Sequence, residues 1–436
     1  MAEFISAIGA RTSFLALLEQ NPETLRLLVG LFGSSRYLSN FFLRHPELLD
    51  NLVRADLAVV RKDRAALEGS LESVLASAHD YETELDALRR FHNEELLRIG
   101  VNDIHGLLEA PDVEEELSAL AEVCLDGALE IALRALAERH GEPPGRFAAI
   151  GMGTLGRRAL SYNSDLDLIF VYDGAHTSAA GLTVREYYTK LAQRLMVVLQ
   201  LTTREGYVYK IDTRLRPSGS HGPLVSSLDG FREYHRLSSA LWERQALISA
   251  RGVSGDRSLI DEVEGVTEGF VYGKGLSVED AAEIARLRSR MEHELARESA
   301  GRWDLKTGRG GMVDVEFVTE ALQLRHGHDH PRVRLRKTEE ALDALRAEGL
   351  LEEAHHRGLV DGYRFLRRVE SRLRIERDQA VHSLEHEDSK LAALARRIGY
   401  DGPDAGARLL RDVQTTRERI RRIYEHHFLA PPGTPH

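Results

Sequence analysis

The stretch that most restricts the fold of this chain is Leu166 to Tyr172 (LDLIFVY), a β-branched and aromatic run too short for a stable helix. It sits between other strand and turn signals in a chain otherwise patterned for helices. Phe147 to Ile150 is a short apolar run ending in Gly151, with Gly153 and Gly156 close behind. Val184 to Leu201 predicts a helix. Gly206 to Leu215 (GYVYKIDTRL) alternates, with Val208, Lys210, Asp212 and Arg214 on one face and Tyr207, Tyr209 and Ile211 on the other. The middle of the chain is therefore expected to be a small α/β unit: strand, Gly-rich turn, strand, helix, strand.

Helices are expected on both sides. Asn21-Pro22-Glu23 reads as a helix start, with apolar clusters to Phe42 and a further start at Pro46. Glu114 to His140 is a long helix that Asp112 can cap and that Gly141, Pro143 and Pro144 stop. Ser277-Val278-Glu279-Asp280 resembles a capping box ahead of the stripe Ala281, Ile284, Leu287, Met291 and Leu295. Thr338 to Gly349 and the segment carrying Leu366, Val369 and Leu373 follow, and the tail APPGTPH is expected to fray. The fold class is α+β: a small mixed sheet flanked by helices. Three parts are expected, a helical region over 1–110, the sheet-bearing unit over 111–274 and a helical bundle over 275–436.

Composition narrows the partners. Of 436 residues, 58 are Lys or Arg and 69 are Asp or Glu, a net charge of −11. That field repels polyanions, so polymeric nucleic acid is not an expected partner, whereas a single nucleotide held by local cations is compatible with it. No apolar run reaches the roughly 20 residues that span a bilayer, so no membrane partner is expected. The first residues carry Glu3 and no basic segment ahead of an apolar core, unlike a signal peptide. The single cysteine, Cys124, lies in an apolar helical pattern, which suits a reducing compartment. A cytoplasmic monomer is expected.

The chemistry gathers around Gly151-Met-Gly153-Thr-Leu-Gly156 and Ser164-Asp165-Leu-Asp167. Asp165 and Asp167 are two apart, so both project from the same face as the strand begins. Adjacent carboxylates repel unless a cation lies between them. Mg²⁺ takes oxygen ligands, commonly one or two carboxylates plus phosphates of a substrate. Glycines let backbone N–H groups approach a phosphate. If the strand with Asp212 pairs beside LDLIFVY, three acids converge, a ligand set for two metals in a phosphoryl displacement. Alone, an Asp-x-Asp at a strand edge is usually a solvated turn; the order Gly-rich turn, Asp-x-Asp, third Asp is much rarer.

That order resembles the nucleotidyltransferase superfamily with the DNA polymerase β type of fold. More narrowly, GMGTLGRRALSYNSDLDLIFVYD, LTTREGYVYKIDTRLRPSGSHGPLVSSLDGFREYH and ALWERQALISARGVSGD resemble the glutamine synthetase adenylyltransferases. LVGLFGSSRYLSNFFLRHPELLDNLV resembles the helical segment before a catalytic unit of that family, and DLKTGRGGMVDVEF the domain after one. Full-length members carry two such units: one attaches AMP to a tyrosine of glutamine synthetase, the other removes it by phosphorolysis. One unit is present here, and RLRPSG, with Ser218 where a Phe would otherwise stand, looks more like the attaching half. The family's turn is usually KLGG followed by an acid. Here Thr154, Leu155, Gly156, Arg157 and Ala159 occupy those positions, and Arg157 or Arg158 could replace the lost cation.

The resemblance implies transfer of AMP from ATP to a protein tyrosine with release of pyrophosphate. A phenol of pKa near 10 costs about 4 kcal/mol to ionise at pH 7. Asp165 and Asp167 are then expected to bind two Mg²⁺ ions, and Asp212 to bind one and help remove the phenol proton. Gly151, Gly153 and Gly156 would meet the nucleotide, and Arg214 would fork onto triphosphate oxygens. Ser164 contacts phosphate or serves as a turn hydroxyl, and Arg216 contacts nucleotide or forms a structural ion pair. Trp242, Glu243 and Arg251 are expected on a helix after the sheet, in packing and a buried ion pair. Gly310 and Gly311 can let their loop lie close to the nucleotide, and Asp314 and Glu316 can pair with arginines of the catalytic unit. His326, His328 and His330 are expected in a solvated loop, and His355, His356, His426 and His427 on helix surfaces. Arg332 to Lys337 reads as a solvated face or the footprint of an acidic partner. Glutamine synthetase is the expected partner, with a PII-type signalling protein and glutamine as family-implied effectors. Phosphorolytic removal, a non-catalytic regulator, and AMP transfer to another acceptor are the alternatives.

Overall fold

A computed structural model describes residues 61–174, 181–377 and 381–429, together with Glu19, Phe32 and Ser39. The helix starts expected at Asn21-Pro22-Glu23 and at Pro46, and the tail APPGTPH, lie outside the described residues. Three helices come first: α1 (Arg64–Leu75), α2 (Tyr81–Ile104) and α3 (Ala110–His140). Helix α2 opens with a capping box in which Asp80 accepts from Thr83 N and Thr83 Oγ1 returns to the cap backbone. Helix α3 begins at Ala110 rather than Glu114, because Pro111 occupies its first turn and Glu109 its cap position. Asp112 therefore lies inside the helix, paired with Arg61 at 2.9 Å.

The sheet follows: β1 (Gly145–Gly151), β2 (Leu166–Gly174), β3 (Ile211–Asp212), β4 (Val225–Ser227) and β5 (Arg251–Gly255). Its order is β3-β2-β1-β5, with β4 also on β2. β1 runs antiparallel to both β2 and β5, while β3 and β4 run parallel to β2, so the sheet is mixed. Helix α5 (Val184–Gln200) links β2 to β3, capped by Thr183 and Glu186; the single turn Gly153–Gly156 is α4. Helices α6 (Leu228–Leu237) and α7 (Leu241–Ala246) precede β5, and α8 (Arg257–Tyr272) follows it.

Two strands differ from the sequence expectation. The alternating run Gly206 to Leu215 contributes only Ile211 and Asp212 to the ladder. Val208 N and Tyr209 N bond instead to Leu199 O at the end of α5, and Val208 is buried beside that helix. After Asp212 the chain swings off the edge of β2 and returns to it at Val225. Arg251, expected on a helix, begins strand β5.

Both faces of the sheet are covered, which explains why LDLIFVY is continuously apolar rather than alternating. Phe147, Ala149, Leu166, Leu168 and Phe170 face a core built with α2, α3 and α5, and Ile211 packs on the same side. Ala148, Ile150, Ile169 and Val171 face a second core shared with the C-terminal helices. The first core joins helices on either side of residue 110 to the sheet.

The C-terminal part comprises α9 (Val278–Leu295), β6 (Arg302–Asp304), α10 (Met312–His326), α11 (Thr338–Ala347), α12 (Glu353–Arg377), β7 (Ser383–Glu385), α13 (Asp388–Arg397) and α14 (Ala405–Leu429). The capping box at Ser277 and Asp280 forms. In the stripe below it Ile284 is fully buried, but Leu295 stays exposed. β6 and β7 make a separate antiparallel pair. In the cationic run Arg332 to Lys337, Arg332 stays exposed, while the half-buried Arg334, Arg336 and Lys337 pair with Glu268, Glu264 and Glu115.

Candidate active site

Register brings the acids together. Asp167 on β2 is the direct partner of Asp212 on β3, as Leu166 is of Ile211. Leu166 and Ile211 point into the first core, so Asp167 and Asp212 point to the opposite face, and Asp165, two residues before Asp167, lies on that side too. Asp165 is exposed, while Asp167 and Asp212 are half-buried.

Their electrostatics are unequal. Burial, then repulsion from Asp212, pushes the Asp167 carboxyl up to about 6, with Asp165 adding to the rise and Lys306 and Arg214 opposing it. Asp212 is held below its ordinary value, chiefly by the hydrogen bonds from Arg214. Arg214 Nε lies 3.0 and 2.8 Å from the two Asp212 oxygens, and its backbone N donates to Oδ1 at 2.8 Å. That side-chain-to-backbone turn is what ends β3 after two residues.

The Gly-rich turn carries two different requirements. Gly153 has φ of +54°, and a Cβ there would lie 2.8 Å from Asp167 Oδ2, so glycine is what lets the turn sit over that carboxylate. Its N–H donates to Ser249 Oγ at 2.9 Å. Gly156 faces protein instead: a Cβ would lie 2.0 Å from Ser249 O, so its role is close packing. Gly151 ends β1 opposite Leu168 and Arg251, against Val253 and Leu155.

The expected cations divide. Arg157 and Arg158 do not replace a missing phosphate cation. Arg157 is buried and paired with Glu316 and Glu320, and Arg158 pairs with Glu115 at 2.9 Å. Arg216 forms no ion pair among the described residues; it donates to the carbonyls of Thr213, Ser220, Gly222 and Pro223, closing the loop between β3 and β4. Ser164 Oγ accepts from Ser161 N and from Arg374 Nη1 at 3.1 Å, so it acts as a turn hydroxyl here. Glu243 accepts from Tyr234 Oη and Ala240 N, Trp242 is exposed, and Arg251 pairs with the buried Glu122 at 2.5 Å.

Three carboxylates offer the oxygen donors that Mg²⁺ prefers, and Asp167, raised by burial and then by Asp212, has no ion-pair partner among the described residues. Among the described residues no group of three or more His, Cys, Asp or Glu is already closed as a ligand set. Asp212 is turned onto Arg214, so cation binding requires that carboxylate to rotate. The donor chemistry fits, with Asp212 able to take part only once it leaves Arg214.

The loop after β6 also differs in part from expectation. Glu316 pairs with Arg157 of the sheet unit, but Asp314 pairs with Arg288 and Arg421 of the C-terminal helices, and Gly310 lies against the Arg417 backbone. His326 ends α10, His328 Nδ1 lies 3.1 Å from Tyr272 O, and His330 Nδ1 lies 3.1 Å from Glu348. The rings of His355, His426 and His427 gather between α12 and α14. Sequence reasoning passed over two cations near the acids. Lys306 had a signal in the KTGRGG turn, whereas Arg374 sits in an ordinary amphipathic helix with none.

Comparison with known proteins agrees with this architecture. The family model described as glutamate-ammonia ligase adenylyltransferase matches residues 25–265, and one described as GlnD PII-uridylyltransferase matches 281–428. The chain is 37% identical over 394 residues to the bifunctional glutamine synthetase adenylyltransferase/adenylyl-removing enzyme of Chromobacterium violaceum, covering 90% of this chain and 43% of that protein. The enzymes of the same name from Nitrosococcus oceani and Thioalkalivibrio sulfidiphilus are 35% and 32% identical, covering 86% and 95% of this chain and 41% and 43% of theirs. The chain thus spans about two-fifths of the length of these curated relatives. By the family match over more than half its length, the chain belongs to the glutamate-ammonia ligase adenylyltransferase family.

Proposed function

We propose that this chain transfers AMP from ATP to a tyrosine hydroxyl of glutamine synthetase, through the unit spanning 111–274 set between helices on either side. The observation that carries the reading is the register of Asp167 on Asp212, which puts the third acid on the face of the Asp165–Asp167 pair. Asp165 and Asp167 would hold two Mg²⁺ ions and Asp212 one of them. Bound there, Mg²⁺ polarises the phosphate oxygens and lowers the pKa of a bound hydroxyl.

The chain's own residues do the rest. Gly153 keeps the turn clear of Asp167, leaving room for a phosphate beside it. Arg214 exchanges Asp212 for the triphosphate, where its fork suits two phosphate oxygens. Freed of that partner, Asp212 is placed to accept the phenol proton, which a bound Mg²⁺ would make more acidic. The phenolate oxygen forms a bond to the α-phosphorus, the bond from that phosphorus to the bridging oxygen breaks, and pyrophosphate leaves with the electron pair. Arg216 acts by holding the loop that carries Arg214.

A second reading is favoured by the relatives' names, which carry both activities, and by the single catalytic unit here. In it, inorganic phosphate attacks the α-phosphorus of AMP-tyrosine, ADP forms, and the tyrosine leaves. The helical match over 281–428 is the part we propose for contact with a PII-type protein. The test is ATP labelled at the α-phosphate, incubated with purified glutamine synthetase and Mg²⁺. Label on the synthetase supports attachment. ADP released from adenylylated synthetase plus phosphate supports removal. Neither product, or either one surviving Asp165→Asn with Asp167→Asn, favours a non-catalytic regulator.

A further inference from the structure

The acids face the side of the sheet that the C-terminal helices cover, so the C-terminal part can supply groups to the same site. Leu305 is fully buried in the core that also contains Met152 of the Gly-rich turn and Ile169 of β2. Ile169 lies two residues beyond Asp167 and on its face. Lys306 follows Leu305 directly. Its backbone is fixed at both ends: its N–H donates to Asp304 Oδ1 at 2.9 Å, and its carbonyl accepts from Val313 N at 3.0 Å. Leu305 N donates to His382 O at 2.8 Å. His382 belongs to the cluster through which Arg374 reaches Ser164, one residue before Asp165. The loop is thus linked to the acid-bearing turn by hydrogen bonds that run through His382 and Arg374 to Ser164.

The Lys306 ammonium is a different kind of cation from its neighbours. Arg214 is closed on Asp212; Arg157, Arg158 and Arg251 are closed on Glu320, Glu115 and Glu122. The helix that this loop opens is held to the Gly-rich turn by Glu316 and Arg157, which keeps Lys306 beside the acid-bearing unit, and among the described residues no carboxylate is in ion-pair range of it. It is half-buried and half-wet. A flexible stem ending in a compact charge, with no ion-pair partner among the described residues and carried by a loop tied to the acid-bearing turn, suits a polyanion that arrives with cations.

We infer that Lys306, from the loop after β6, contacts the β- and γ-phosphates of the nucleotide held at the acids, so that the site is completed across the boundary between the sheet unit and the C-terminal helices. This rests on the nucleotide reading proposed above. In the attaching direction the ammonium faces the pyrophosphate, and it neutralises the electron pair that the leaving oxygen takes.

The experiment is displacement of a fluorescent mant-ATP from the full chain by Mg·ATP and, separately, by AMP. For Lys306→Met, Mg·ATP affinity is expected to fall about 10- to 100-fold, the worth of a charge-assisted contact, while AMP affinity is unchanged. Lys306→Arg is expected to restore most of the loss. Thermal midpoints of both variants should match the wild type, and if the Met variant does not fold, Lys306→Gln is read the same way. Equal loss for ATP and AMP, or no loss for either, overturns the role of Lys306 and leaves the nucleotide site standing. Failure of the wild-type chain to bind mant-ATP overturns the nucleotide reading itself, and Lys306 with it.

Discussion

Two charged regions lie side by side and behave oppositely. At the rim of the sheet, Asp167 has no ion-pair partner among the described residues, and burial, then its acidic neighbours, push it up to about 6. Behind it, Glu370 on α12 sits among Arg367, Arg374 and His382. Burial alone would raise Glu370, but Arg374, the hydrogen bond to His382 and Arg367 outweigh it and bring the group down to about 2. One cluster is saturated and holds the C-terminal helices to the acid-bearing turn. The other is left wanting positive charge. A folded chain keeps unbalanced buried charge at a cost, so the imbalance marks the place where a ligand brings the missing cations.

The largest effect should come from emptying the unbalanced cluster. Asp165→Asn with Asp167→Asn is expected to cut transfer of α-labelled AMP by at least about 10²- to 10³-fold, measured by label on glutamine synthetase. Wild-type rates would erase the contrast. In the saturated cluster, Glu370→Ala should cost about 3–5 kcal/mol in denaturant unfolding, because it leaves the buried Arg374 without a carboxylate partner. The sign of its pH dependence follows from a carboxyl lowered on folding. Its contribution is complete above the ordinary value of 4.5 and is lost as pH falls toward about 2. Acid unfolding of Glu370→Gln should therefore be flatter over that window than that of the wild type.

Smaller effects sharpen the same contrast. Asp167→Asn should raise unfolding free energy by about 1–2 kcal/mol when divalent cations are chelated, since it removes repulsion at a half-buried position. Excess Mg²⁺ with ATP should erase that gain. Arg214→Ala should change stability by no more than about 1 kcal/mol, because its side chain is 78% exposed and such pairs contribute little, yet it should weaken ATP binding. A large loss of stability would make Arg214 a structural residue.

Much of the sheet unit was legible because short-range rules act there. The β-branched run from Leu166, the Gly-rich turn and the helical run Val184 to Leu201 each declare their element locally. The convergence of Asp167 with Asp212 was also anticipated, but for a partly different reason. Alternation over Gly206 to Leu215 suggested a long strand, whereas Leu199 O and the Arg214 turn leave only two ladder residues. Strand β5 was hidden because Arg251-Gly252 follows a helical pattern without a break, and its pairing partner β1 lies a hundred residues away in sequence. Long-range ion pairs and hydrogen bonds were the least legible. Arg157 with Glu320, Arg334 with Glu268 and Arg374 with Ser164 link segments whose spacing carries no local signal.

The central claim is that the three carboxylates form a divalent-cation site for a nucleotide. Its most direct test is a manganese titration followed by electron paramagnetic resonance, with an ATP analogue whose α,β-bridge cannot be cleaved. Two ions per wild-type chain are predicted, binding only weakly without the nucleotide, with at least one lost in Asp167→Asn and in Asp212→Asn. Manganese binding that ignores all three aspartates, or no binding with the nucleotide present, would contradict the account.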